Sequence, residues 1–192
     1  MAGRARFTRD QLESYRDATV PDLLAPNLRL LFVGINPGLW TAAVQAHFAR
    51  RGNRFYPALH ASGLTDRLID ASSGYSPEDL QHLFDRGLGI SNMAHRATAR
   101  ADELRPDELV EGARQLRDLV QSRGPAVVAF LGITAYRTAF GLPKAKTGRQ
   151  PEKMGPAEVW VLPNPSGLNA GVQLPQLAAA FREVGVAAGV LT

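Results

Sequence analysis

The sequence predicts a three-layer α/β/α sandwich on a short, mainly parallel four-stranded sheet. Three observations predict it. Four apolar runs, 28–35, 88–90, 126–131 and 159–162, are continuous rather than alternating, as strands buried on both faces are. Helical patterns fall between them. Each run opens into a polar, turn-rich segment, as strands do at the carboxyl edge of a parallel sheet.

The elements follow in order. Thr8-x-x-Gln11 reads as a capping box for a first helix over about 8–16, expected to pack on the rest of the chain. The run 28–35 gives the first strand. Ser76-Pro77-Glu78-Asp79 reads as an N-cap, a first-turn proline and acids at the positive end of a helix that stops near Gly87. After the strand at 88–90 comes the longest helix, Pro106 to Arg123. Its stripe is Leu109, Ala113, Leu116 and Val120, and Gly124-Pro125 ends it. The strand at 126–131 follows. Residues 144–155 carry Lys, Gly and Pro without periodicity and read as an exposed loop. The strand at 159–162 precedes a last helix over 174–186, with Leu177, Phe181 and Val184 inward. No repeat or linker interrupts the pattern, so residues 1–192 are expected to form a single domain.

Composition removes several classes of chemistry. The 192 residues contain no cysteine, which excludes disulfides, thiolate zinc sites, iron–sulfur clusters and a Cys nucleophile. The four histidines have no metal-ligand spacing, so neither metal nor cofactor is expected. There is no G-x-G-x-x-G or Walker motif for a nucleotide. No apolar run reaches the ~18 residues that cross a bilayer. Residues 1–10 lack the apolar core of a signal peptide, and a cytoplasmic setting, the cytosol or nucleoid of a bacterium, is expected.

The net charge of +4, from 22 basic and 18 acidic residues, decides little by itself. The placement of acids says more. Residues 23–65, 87–101, 119–151 and 159–182 contain no carboxylate. A surface that approaches phosphates keeps carboxylates away. Buried strands also lack acids, which accounts for 28–33 but not for the polar segment 47–54. The turn-rich segments at the predicted carboxyl edge bring three asparagines, Asn36, Asn92 and Asn164, toward one cleft. Asn-Pro is also an ordinary turn dipeptide.

Gly34-Ile35-Asn36-Pro37-Gly38 and Asn164-Pro165-Ser166-Gly167 resemble, in order and separation, the motifs of the mismatch-specific uracil-DNA and thymine-DNA glycosylases, a branch of the uracil-DNA glycosylase superfamily. The resemblance continues through Gly52-Asn53-Arg54-Phe55-Tyr56 and Ser91-Asn92-Met93 and covers roughly residues 28–181. It implies a base-flipping enzyme that hydrolyses the bond between a damaged base and its sugar in double-stranded DNA, leaving an abasic site.

The resemblance also assigns residues. Asn36 matches the residue that positions the attacking water; more active relatives carry Asp there, which implies a slower enzyme. Gly34, Ile35 and Thr41 fall in the base pocket, and Thr41 is bulkier than the residue of thymine-acting relatives, so a 5-methyl group is disfavoured. Phe48 matches the aromatic on which the base stacks, at the rim beside His47, Arg50 and Arg51. Asn53 and Asn92 match residues facing the base edge, and loop capping is the alternative for both. Asn164 stands where the more active branch has His. Gly167, Leu168 and Asn169 match a wedge loop in which Leu168 enters the stack, and Ser166 is a candidate phosphate contact. A basic residue that often follows the wedge is replaced by Ala170. Trp40 and His95 receive no role.

A lyase step needs an amine, and the only lysines, Lys144, Lys146 and Lys153, lie outside every motif. The expected reaction is therefore monofunctional excision of uracil, with etheno-cytosine-type lesions as further candidates, from G·U-type mispairs, by a monomer. Two alternatives stay open: xanthine or hypoxanthine as the main lesion, and a catalytically weak protein that binds mismatches or abasic sites.

Overall fold

The computed structural model describes residues 6–169 and 171–192. The four continuous apolar runs form the central strands: β2 (Leu30–Gly34), β3 (Leu88–Asn92), β4 (Val127–Leu131) and β6 (Ala157–Leu162). They are mutually parallel in the order β3-β2-β4-β6. Two further strands make the sheet six-stranded rather than four-stranded. β1 (Leu23–Leu24) joins β3 antiparallel, and β5 (Gly148–Met154) joins β6 antiparallel.

The strand β5 corrects the reading of 144–155 as a loop. Most of its residues are exposed, so it carries none of the apolar signal of a covered strand. Pro151 sits where its register shifts between Arg149 and Lys153, a position open to proline only on a sheet edge. β1 is too short to leave a pattern.

Side-chain alternation along β2 builds the two faces. Leu30 and Phe32 join Phe55, Leu59, Phe181 and Val184 on one side. Those partners come from α3 (Phe55–Ser62) and α7 (Leu174–Ala187). Leu31 and Val33 join Leu109, Leu116 and Val120 of α5 (Pro106–Arg123) and Tyr136 of α6 (Ile133–Phe140) on the other. Gly112 lets α5 lie against the chain beyond β3: a Cβ there would stand 1.5 Å from the Met93 carbonyl oxygen.

The capping box of Thr8 and Gln11 is present, but its helix α1 (Arg9–Glu13) is shorter than the pattern suggested. Leu12 and Tyr15 pack with α2 (Leu39–Val44) around Val20, Leu39, Ala42 and Ala97. Ser76 caps α4 (Pro77–Asp85). Among the described residues, no helix is long and apolar enough to cross a membrane.

Register fixes where the motifs emerge. Gly34 pairs with Asn92, and Leu131 with Leu162. The ladder continues past the strands through Met93 N–H to the Gly34 carbonyl and Ala94 N–H to the Ile35 carbonyl, both at 2.9 Å. The segments carrying Asn36, Asn92 and Asn164 therefore leave the sheet at one level on its carboxyl edge.

Candidate active site

A cleft of about 410 Å³ opens at that edge. Gly34, Ile35, Asn36, Thr41, Phe48, Asn53, Asn92, Asn164, Ser166 and Leu168 all line it. Gly167 and Asn169 lie in the same loop as Leu168, outside the lining. The cleft rim also holds Arg50, Arg100 and one carboxylate, Asp102, which is paired with Arg100. The acid-free reading of the edge thus ends at Ala101.

Each of the four asparagines has one end of its amide tied to the protein. Asn36 Nδ2 donates to the Arg96 carbonyl (3.0 Å), the Pro37 carbonyl (3.1 Å) and Thr98 Oγ1 (2.8 Å). Its oxygen is the end left to accept from a water. Thr98 is buried and passes its own proton to the Arg100 carbonyl at 2.7 Å. Arg96 is itself fixed by Glu108 at 2.5 and 3.0 Å and by Asp17 at 2.9 Å. Neither Thr98 nor Arg96 was marked by the sequence motifs, because their link to Asn36 spans about sixty residues.

Asn92 is buried, and its Nδ2 donates to His47 Nδ1 at 3.2 Å. His47 Nε2 lies 2.9 Å from the Pro21 carbonyl, which can only accept, so Nε2 carries the proton and Nδ1 is bare. His47 is 2% exposed, which corrects its reading as a polar rim residue. Burial pulls its pKa below the ordinary imidazole range, and the neutral form prevails. Asn92 Oδ1 is turned toward Gly34, where an added Cβ would stand 2.6 Å from it.

Asn53 and Asn164 are tied the opposite way. Asn53 Oδ1 accepts from Phe55 N–H (2.9 Å) at the start of α3, and Asn164 Oδ1 accepts from Ser166 N–H (2.9 Å). Asn53 thus caps its loop, as the alternative reading had it, while the Nδ2 end of each residue stays available as a donor. The cleft is left with two amide oxygens and two amide nitrogens, set against an aromatic wall. That inventory suits a flat, uncharged ring bearing both N–H and C=O groups.

The wall is Phe48. Its backbone is left-handed, φ 54°, a conformation rare for a bulky residue and typical of functional sites. Its ring stacks on Phe55 at 4.2 Å and 23°. The backbone of the preceding residue is held by a closed ring of hydrogen bonds. His47 N–H donates to Tyr75 Oη (3.0 Å), Tyr56 Oη donates to the His47 carbonyl (2.8 Å), and the two hydroxyls meet at 2.7 Å. Burial pushes the Tyr75 phenol up to about 12 and raises that of Tyr56 as well, so both remain protonated donors.

The loop after β6 protrudes at Leu168, which is 79% exposed. Its shape is set from within. Asn169 Nδ2 donates to the Asn164 carbonyl (3.1 Å), and Ser166 Oγ accepts from Leu168 N–H (3.3 Å). Arg54 holds it from α3: its guanidinium donates to the carbonyls of Ser166 and Asn169, both at 2.7 Å, and to that of Val172. Arg54 is therefore a strut for the loop. Gly167 packs so close that a Cβ would lie 2.4 Å from the Gly52 carbonyl. Ala170 lies outside the described residues.

Trp40 donates to the Ser72 carbonyl at 3.0 Å and packs edge-on to Phe7, a structural role away from the cleft. His95 is half-buried and outside the cleft lining.

Residues 21–184 match the family model of the uracil DNA glycosylase superfamily. The fold is similar to the solution NMR structure of a Methanosarcina acetivorans protein provisionally assigned as a uracil DNA glycosylase. That match has a TM-score of 0.59 and 20% identity, covering 88% of this chain and 98% of the other. At that identity the likeness speaks for the fold, and the family match over most of the chain supplies the rest: this chain belongs to the uracil DNA glycosylase superfamily, whose members are DNA glycosylases.

Proposed function

We propose that the protein removes uracil from G·U-type mispairs in duplex DNA by monofunctional hydrolysis. The observation that carries the reading is the convergence of Asn36, Asn92 and Asn164 on one cleft walled by Phe48 and overlooked by exposed Leu168. The flipped uracil stacks on Phe48. Its N3–H donates to Asn92 Oδ1, and its carbonyl oxygens accept from the free Nδ2 ends of Asn53 and Asn164. Asn36 Oδ1 holds the water. The water oxygen bonds to C1′ as the glycosidic bond breaks. The bonding pair leaves with the base, and the water's extra proton passes to solvent because an amide is a poor base. Leu168 occupies the vacated stack. Thr41, buried in the cleft wall, disfavours a 5-methyl group.

Monofunctional chemistry is supported by the position of the lysines. All three lie between α6 and the end of β5, and none lines the cleft. A G·U duplex treated with the protein and then alkali should yield a cut strand, and without alkali an intact one. Asn36→Ala should lower single-turnover cleavage by at least about 100-fold and retain duplex binding. Full activity in that variant would sink the role given to Asn36.

A second reading is favoured by the cleft's size. At about 410 Å³ it also admits a purine, and hypoxanthine and xanthine present the same ring N–H to Asn92. A lesion panel under single turnover ranks them. Binding without release of any base across the panel would leave a mismatch-binding protein instead.

A further inference from the structure

We propose that His47 sets the polarity with which Asn92 reads the base, making it a specificity-determining positioning residue; this rests on the uracil-excision reading above. An asparagine amide has two nearly isosteric ends, and nothing in Asn92 itself decides which one faces the cleft. The decision is made behind it. The Pro21 carbonyl claims the proton on His47 Nε2 at 2.9 Å, so the neutral ring offers a bare Nδ1. Only the Nδ2 end of Asn92 can bond to that atom, and it does so at 3.2 Å. The oxygen is thereby aimed at the cleft beside Gly34. A base with a ring N–H finds an acceptor there. Cytosine, whose ring N3 is bare, meets a second lone pair.

The imidazole cannot turn to escape this assignment. Its backbone is gripped on both sides by Tyr75 and Tyr56, and the ring is buried. The groups facing it from the surrounding elements are Asp22, which favours its protonated form, His95, which opposes it, and the two phenols, which stay neutral. A proton added at Nδ1 turns that atom into a donor. The Asn92 amide must then reverse, and its NH₂ meets the N3–H of uracil. Excision of uracil should fall as this one proton is taken up, at a pH below the ordinary imidazole range because burial opposes the charge.

The test is a pair of single-turnover pH profiles on a G·U duplex, from about pH 8 down to about pH 5, for the wild type and His47→Gln. Circular dichroism checks that each stays folded. The wild-type rate should fall about tenfold per pH unit below a single-proton transition. His47→Gln should be slower at pH 8, because its amide is a less rigid anchor, but its residual rate should lack the acid limb. The same limb in His47→Gln, or a wild-type rate that stays flat while the His47 ¹⁵N shifts report uptake of the proton, overturns the proposal. Long-range ¹H–¹⁵N correlation on the wild-type protein gives a readout independent of activity. It should show the Nε2–H tautomer at neutral pH, and an Nδ1–H tautomer overturns the proposal even if the variant does not fold. Absence of any base release by the wild type at pH 8 would instead overturn the uracil reading.

Discussion

Asn36 raises the question of what a carboxylate would do in its place. The simplest expectation is a faster enzyme, since Asp is a better base than an amide. The structure argues the reverse for this chain. Asn36 Nδ2 faces two backbone carbonyls and a threonine hydroxyl whose proton is already committed. A carboxylate oxygen there would meet three lone pairs, with an unpaired buried acceptor costing about 1–3 kcal/mol. We expect Asn36→Asp to cleave a G·U duplex no faster than the wild type, measured under single turnover. Asn36→Asp combined with Thr98→Val, which removes one opposing oxygen, should recover part of the loss. Gly34 gives a second expectation at this scale. Its backbone lies outside the left-handed region, but a Cβ would stand 2.6 Å from Asn92 Oδ1 and 3.1 Å from Phe48 Cζ. Gly34→Ala should therefore lower cleavage by about 100-fold through displacement of those two groups, with a melting temperature shift that reflects only local strain.

At the scale of elements, the loop after β6 depends on α3. Arg54 collects three carbonyls of the loop, and its own backbone N–H donates to the Pro165 carbonyl at 2.9 Å. Arg54→Met would keep the aliphatic stem and release the carbonyls. Excision from duplex DNA should fall by about tenfold, and 2-aminopurine fluorescence beside the lesion should show less flipped base. Release from a single-stranded uracil substrate, which needs no wedge, should fall less. A Lys at this position is not equivalent, because one ammonium cannot reproduce the planar fork. The sequence announced this loop through Pro165, Gly167 and the exposed apolar Leu168. It could not announce the strut, since arginines that bind phosphate and arginines that bind carbonyls look the same in a charge count.

Across the whole molecule, the ion pairs of Arg96 join the segment before β1, the chain after β3 and the start of α5. The Arg96 guanidinium, helped by Arg105 N–H, holds the Glu108 carboxyl down to about 2, against 4.5 ordinarily. A depressed carboxylate contributes stability above its unfolded pKa and loses it as pH falls toward the folded one. The wild type should thus lose a component of stability between about pH 4.5 and about pH 2 that Glu108→Gln lacks. At neutral pH the variant should be less stable by about 1 kcal/mol in urea unfolding. The global architecture was legible because doubly covered strands are continuous apolar runs, and 28–35, 126–131 and 159–162 need no other partner to identify them. The edge strand β5 was not, since one face and one edge meet water and its residues are those of a loop. The three asparagines of the cleft were legible as motifs. The polarity of Asn36 and Asn92 was not, because it is written in Arg96, His47 and Thr98, whose relation to the motifs exists only after folding.

The four tethered amides bear on how such a site changes its substrate. An asparagine free to rotate is an adaptable reader that would accommodate either hydrogen-bonding pattern. Here each amide is tied to an anchor, in a distant segment for Asn36 and Asn92 and two residues along the same segment for Asn53 and Asn164, so the reading surface behaves as fixed type rather than as a movable hand. Substituting the cleft residues themselves removes characters without writing new ones. Retuning toward another lesion is reached instead by editing the anchor at His47, while every residue that touches the base keeps its identity.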